Sequence, residues 1–484
     1  LTRANDNTLC FSQDGEIYTL KNGQSKKLNV SILNDGRDNL SRTESVMGNV
    51  SEFALSPNGK EIAFINRGEV FVTGVENGQT KQITKTPQQE RMVTWSPDSK
   101  SIYYSSERGK SWDIYKSTIV QKDEAYFFAA TVIKDEPVIE GVSEQYQGEI
   151  SPDGKEIAYI EDRNILKVYN IKSKSSRTIL PKGHNHSYSD GDWSFQWSPD
   201  GKYILTDDQK GFMSRSNLAI FKADGSGNAI YPINSGFGEY SGKWALNGKL
   251  ITWASSKDGR KSLAIQGNRE MDIFGIFLDQ EAYDLAAMTK ADFDLLKERE
   301  QRERLTPKDT ATNKAKPAKQ DTSKKTFVPD FSNLENRKVK LTINSSSLGG
   351  YALNADASKL YYLSSFEKGY DLWVTDTRSR DTKVLAKLSG SPSGIEMSKD
   401  GKSLFVSNRG RLVKVESESG KITPIGISSD MEIDAAAERE YIFNHAWRQV
   451  KAKFYDPKLH GVDWAMYRET YARFLPHVNN NFDF

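Results

Sequence analysis

The run Gly183-His184-Asn185-His186 places two imidazoles two residues apart, a spacing that can hold a metal ion. No Cys or carboxylate stands at a spacing that would complete the set, so a polar loop is the expected reading. The other three histidines occupy places where ordinary structural roles suffice. His445 lies beside an apolar helical stripe, His460 lies in a turn, and His477 follows Pro476 at a helix end. Cys10 is the single cysteine and excludes an internal disulfide framework. There is no Gly-x-Ser-x-Gly elbow, no phosphate loop and no Cys-x-x-Cys. The residues therefore nominate no catalytic, cofactor-binding or metal-ligating position, and no cofactor is expected.

The elements around these residues are repeats. Seven times the chain writes a form of Ser-Pro-Asp-Gly-Lys and follows it with a short apolar strand. Ser151-Pro152-Asp153-Gly154-Lys155, for example, runs into Ile157-Ala158-Tyr159-Ile160. Ser56, Ser96, Ser151, Ser198, Ala245, Asn354 and Ser398 occupy one slot, with gaps of 40, 55, 47, 47, 109 and 44 residues. A four-stranded propeller blade takes about 40–50 residues. The step of 109 therefore holds an insertion. Within a unit, Pro presets φ, Asp bonds locally and Gly accepts positive φ, so the motif reads as hairpin punctuation. Residues such as Ile102-Tyr103-Tyr104 suit a pleated surface. One blade cannot bury its own face, and a ring of blades can. The expected fold is all-β: a seven-bladed β-propeller of TolB/WD40-like blades over residues 41–428.

Three segments depart from the repeat. Leu9 to Thr19 aligns with Ile62 to Val72 as a second strand, a turn and a third strand, with the preceding strand missing. Residues 1–40 are accordingly expected to be a partial blade closing an earlier propeller. The insertion, residues 279–330, falls between the third and fourth strands of its blade. It is expected to hold a helix from Gln280 to Met288, a second helix from Thr289 to about Leu305, and a mobile, Lys-rich loop from Thr306 to Pro329. After Asp434 the apolar period changes to 3.6. Phe443, Trp447, Val450 and Phe454 share one face of a helix that ends at Asp456-Pro457, and Asp463 caps another from Trp464 to Leu475. Residues 429–484 thus open a further, helical subdomain.

Lys plus Arg, 67, nearly balances Asp plus Glu, 65, which gives no argument for nucleic acid or anionic lipid as partner. The chain is 37% hydrophobic, and no apolar run is long enough to span a membrane.

The last segment carries a family resemblance. Glu438-Arg439-Glu440 through Trp447, then Phe454-Tyr455-Asp456-Pro457, His460-Gly461-Val462-Asp463-Trp464, Tyr467, Tyr471 and Leu475-Pro476 resemble the start of the catalytic region of tricorn proteases. The Phe-Tyr-Asp-Pro to His-Gly-Val-Asp-Trp run is its most specific part. The repeats look like the TolB-type blades that precede that region, and the stretch from Phe277 to Tyr283 looks like an insertion of bacterial homologues. The resemblance implies a large serine peptidase acting on oligopeptides, with the propeller as filter or channel. It implies downstream catalytic and PDZ-like domains as partners, homo-oligomers, and a cytoplasmic or alternatively periplasmic location. It also implies that the catalytic residues lie beyond Phe484, so none is carried onto a position here. The alternative expectation is a non-enzymatic TolB-type propeller that binds a partner protein.

Overall fold

A computed structural model of the chain describes residues 1–484 except 14, 32–39, 110, 211–215, 234, 263–268, 306–327 and 368. The expected Lys-rich loop lies almost wholly outside the described residues. Two compact units emerge: residues 43–432, and residues 1–42 together with 433–484.

The larger unit is the seven-bladed propeller. Its sheets span residues 52–82, 90–139, 145–180, 195–222, 239–340, 347–390 and 392–424, here blades 1 to 7, each antiparallel and sequential in strand order. The motif turns explain the regularity. Ser151 Oγ donates to Asp153 Oδ1 at 2.8 Å, Asp153 Oδ1 accepts from Lys155 N at 3.1 Å, and Ser151 Oγ accepts from Glu156 N at 2.9 Å. The same wiring recurs at Ser56, Ser96, Ser198 and Ser398. Each turn thus satisfies its own polar groups and leaves the flanking strands free to pair. The second residues of the second strands, Ile62, Ile102, Ile157 and Ile204, are fully buried.

First strands of neighbouring sheets stand side by side between blades 1 and 2, 2 and 3, 4 and 5, 6 and 7, and 7 and 1, and so lie innermost. The last blade meets the first. Leu55 N donates to Glu396 Oε2 at 3.0 Å, Thr73 Oγ1 to Gly426 O at 2.8 Å, and Lys414 pairs with Glu76 at 2.8 Å. Among the described residues no strand is exchanged between blades 1 and 7, so packing and these bonds close the ring. A two-stranded ribbon pairs Ser41–Val46 with Ser429–Asp434.

Among the described residues blade 4 has three strands, and its fourth is reduced to a bridge between Ile220 and Ile230. Pro232, the next ladder position on that edge, has no N–H to continue it. The insertion lies where expected, between the third and fourth strands of blade 5. Helix α1 covers Gln280–Ala287, capped by Asp279, and α2 covers Lys290–Leu305, capped by Thr289. Arg378 of blade 6 fastens them. Its guanidinium donates to Leu285 O and Met288 O, both at 2.8 Å, and lies 3.8 Å from the Phe293 ring centre.

The smaller unit joins an N-terminal sheet to two helices. The sheet has four strands, because Thr2–Arg3 pairs with Leu9 and Cys10. This corrects the expectation of a missing first strand: two polar residues carry no readable period. Helix α3 runs Ala435–Lys453 and α4 runs Trp464–Ala472. The second helix stops three residues before Leu475, where a tight 3-10 turn, Leu475–His477, takes over. The helices clasp through their indoles: Trp447 Nε1 donates to Trp464 O at 3.0 Å, and Trp464 Nε1 to Trp447 O at 3.1 Å.

Candidate functional site

Strand pairing fixes an equivalent level in every blade. Leu55, Trp95, Ile150, Trp197, Trp244, Leu353 and Met397 each pair with the residue seven positions later. One residue before them stand Ala54, Thr94, Glu149, Gln196, Lys243, Ala352 and Glu396. At this level the innermost strands are stitched blade to blade. Trp95 Nε1 donates to Ala54 O and Trp197 Nε1 to Glu149 O, both at 2.9 Å. Trp244 N donates to Gln196 Oε1 at 2.9 Å, the counterpart of the bond from Leu55 N to Glu396.

Five of these strands carry a bulge just before that level, in blades 2, 3, 5, 6 and 7. The bulged residues Met92, Gln147, Ser241 and Gly394 have positive φ, as does Gly350 beside the bulge of blade 6. A bulge bends its strand and re-aims the side chains beside it.

Three of the seven side chains at this level are charged: Glu149 in blade 3, Lys243 in blade 5 and Glu396 in blade 7. They are packed round by protein yet keep part of their surface open to solvent, as groups in a narrow bore do. Burial pushes both carboxyls up to about 7, and the charge of Glu396 adds to the effect on Glu149. Burial pulls Lys243 down to about 8, against the opposing pull of Glu396. Lys243 Nζ donates to Tyr351 O at 2.6 Å and sits 4.6 Å from the Tyr351 ring centre. Glu149 makes no side-chain hydrogen bond among the described residues. Sequence reasoning missed this trio. Its only signal is that charge interrupts a column of registered inner-strand positions.

None of the histidines occupies a position at this level. His184 Nδ1 lies 3.1 Å from both oxygens of Asp208, which also accepts from Tyr231 OH at 2.7 Å. His186 is exposed. His460 Nε2 lies 2.5 Å from Tyr455 OH in an exposed turn, and His445 Nδ1 lies 3.4 Å from Tyr441 OH on α3. Among the described residues no group of three or more His, Cys, Asp or Glu is placed to hold a metal ion.

Residues 435–484 match the family model of the tricorn protease C1 domain. The crystal structure of the tricorn protease superposes with a TM-score of 0.68 at 13% identity, over 98% of this chain and 44% of that one. The fold is tricorn-like. The tricorn likeness takes in both units, and the chain spans less than half of the tricorn protease's length. An oligogalacturonate lyase in complex with manganese (TM-score 0.46, 11% identity, 88% of this chain and 96% of that one) also aligns. So does the Kuenenia stuttgartiensis hydrazine synthase (TM-score 0.45, 12% identity, 77% and 97%). Both scores are too low to carry an argument. No curated protein sequence matches the chain. Among the described residues no helix is long and apolar enough to cross a membrane.

Proposed function

We propose that this chain is the propeller-bearing part of a tricorn-like serine peptidase that degrades oligopeptides, with the seven-bladed ring as substrate filter or channel. The observation that carries the reading is the conjunction of a closed ring of seven blades with a C1-type segment at residues 435–484. In this reading the nucleophile, base and oxyanion donors belong to downstream catalytic domains, and the ring governs access alone. Access matters because chemistry held behind a narrow entry admits unfolded chains and excludes folded ones. The partners are oligopeptides, the downstream catalytic and PDZ-like domains, and further copies of the protein. The compartment is the cytoplasm, with the periplasm as alternative.

Ala352 offers the test, since it is the small residue at the charged level of blade 6. In protein carrying the downstream sequence, Ala352→Trp should slow hydrolysis of long fluorogenic peptides by tenfold or more. Turnover of di- and tripeptides should change little. Equal effects on long and short substrates would remove the channel role. No turnover by the unmutated protein would favour the TolB-type binding module instead.

A further inference from the structure

The trio Glu149, Lys243 and Glu396 occupies one level of the ring but three non-adjacent blades. Blades 3 and 7 stand on opposite sides of a seven-membered ring, and blade 5 stands two blades from each. Even so, the charge of Glu396 acts on Glu149 and on Lys243. No strand, turn or shared blade interface connects these three residues. The region common to all three blades is the axis, on which these three positions of the innermost strands converge.

The charge at that convergence is unequal, with two carboxyls against one ammonium. The ammonium is committed to Tyr351, through its carbonyl and its ring face. Glu396 holds one backbone bond, from Leu55 N. Glu149 has no hydrogen-bond partner among the described residues and retains its full acceptor capacity. The other four positions of the level, Ala54, Thr94, Gln196 and Ala352, bring no charge. The nearest further charges on the inner strands, Glu52 and Arg91, are spent on each other at 2.8 Å. Two carboxyls crowded together are costly to ionise fully, and a visiting cation between them relieves that cost.

We propose that Glu149, Lys243 and Glu396 form a charge-selective constriction on the axis of the ring, which accepts the ammonium and guanidinium groups of passing peptides and disfavours carboxylates. The proposal rests on the reading of the ring as a peptide passage and names the substrate class that the passage favours. Oligopeptides bearing a free amino terminus, Lys or Arg enter and dwell. Strongly acidic ones are turned back.

The test is fluorescence anisotropy with two labelled oligopeptides of equal length, one Lys-containing with a free amino terminus, the other acetylated with Glu in place of Lys. At low ionic strength the purified chain should bind the cationic peptide about tenfold more tightly, a difference that high salt erodes. Glu149→Gln with Glu396→Gln, a shape-conserving pair, should erase the preference. Lys243→Met should enlarge it, and Glu149→Gln alone should reduce it. A preference that survives the double Gln substitution, or a preference for the acidic peptide, would overturn the constriction. Equal binding of both peptides to the unmutated chain would overturn the charge selection and leave the passage reading standing. Binding of neither would overturn the passage reading itself.

Discussion

The turn that joins the first and second strands of a blade depends on one backbone torsion. Gly59, Gly154, Gly201 and Gly401 hold it at φ between 70° and 74°. In blades 2 and 6 the same place is taken by Ser99, at 59°, and Ala357, at 55°. A residue with a Cβ pays roughly 1–2 kcal/mol for left-handed backbone. Ser99 offsets this by accepting a bond on Oγ from Asn58 N at 3.2 Å, reaching from blade 2 to blade 1. Ala357 has no side-chain polar group to do so. A Cβ at Gly401 would meet nothing within 4 Å, so Gly401→Ala isolates the torsional cost. It should lose about 1–2 kcal/mol. Ala357→Gly should be neutral or stabilising by up to about 1 kcal/mol, the relieved strain being partly cancelled by unfolded-state entropy. Ser99→Gly should destabilise despite the relieved strain. Thermal melting of the three variants checks this order, and a Gly401→Ala variant as stable as the parent would contradict the torsional account.

At the scale of elements, legibility followed the strength of local chemistry. The turns were readable because Pro, Asp and Gly each act within five residues, and the insertion because Asp279 and Thr289 are N-caps before helical runs. Thr2–Arg3 and the bridge at Ile230 were not readable, since a two-residue strand and a lone bridge are set by a neighbouring edge rather than by their own period. The end of α4 at Ala472 was read late because apolar residues continue through Phe474-Leu475, into a turn that α-helical periodicity cannot distinguish. The bore trio was illegible for a different reason. Glu149 and Glu396 are 247 positions apart, and only ring closure brings their charges together. Helix α3 gives the cleanest test of a locally written element. Asp434 accepts from Ala436 N and Ala437 N, both at 3.0 Å. Asp434→Ala should cost about 1 kcal/mol and speed hydrogen exchange at those two amides. Unchanged protection there would show that tertiary packing, rather than the cap, holds the first turn.

Across the whole molecule, blade-to-blade packing buries carboxyl groups that the balanced net charge conceals. Burial pushes Glu61 up to about 7 and Asp113 to about 6. It pushes Glu69 to about 8, with Glu90 adding to the effect, and Asp207 to about 8, with Glu239 adding to it. Asp207 Oδ1 has no hydrogen-bond partner to favour its charged form. Each of these groups is neutral in the fold at a pH where the unfolded chain has already lost the proton. The unfolded state therefore binds fewer protons across the interval, and stability falls as pH rises. The contribution is fully present below about pH 4, where both states are protonated, and is lost progressively up to about pH 8. Carboxyls held low by partners, such as Glu156 beside Arg177, act in the opposite sense only in the acidic range, below the ordinary carboxylate values. Lys243, pulled down to about 8, gains stability with pH only between about 8 and 10.4. The melting temperature should therefore decline from pH 5 to pH 8, with each buried carboxyl contributing at most about 1.4 kcal/mol per pH unit. Asp207→Asn, which supplies a neutral side chain of the same shape, should raise the melting temperature at pH 8 more than at pH 5 and flatten the profile. A profile that rises over this interval, or an Asp207→Asn variant that shifts both ends equally, would show that these carboxyls ionise within the fold.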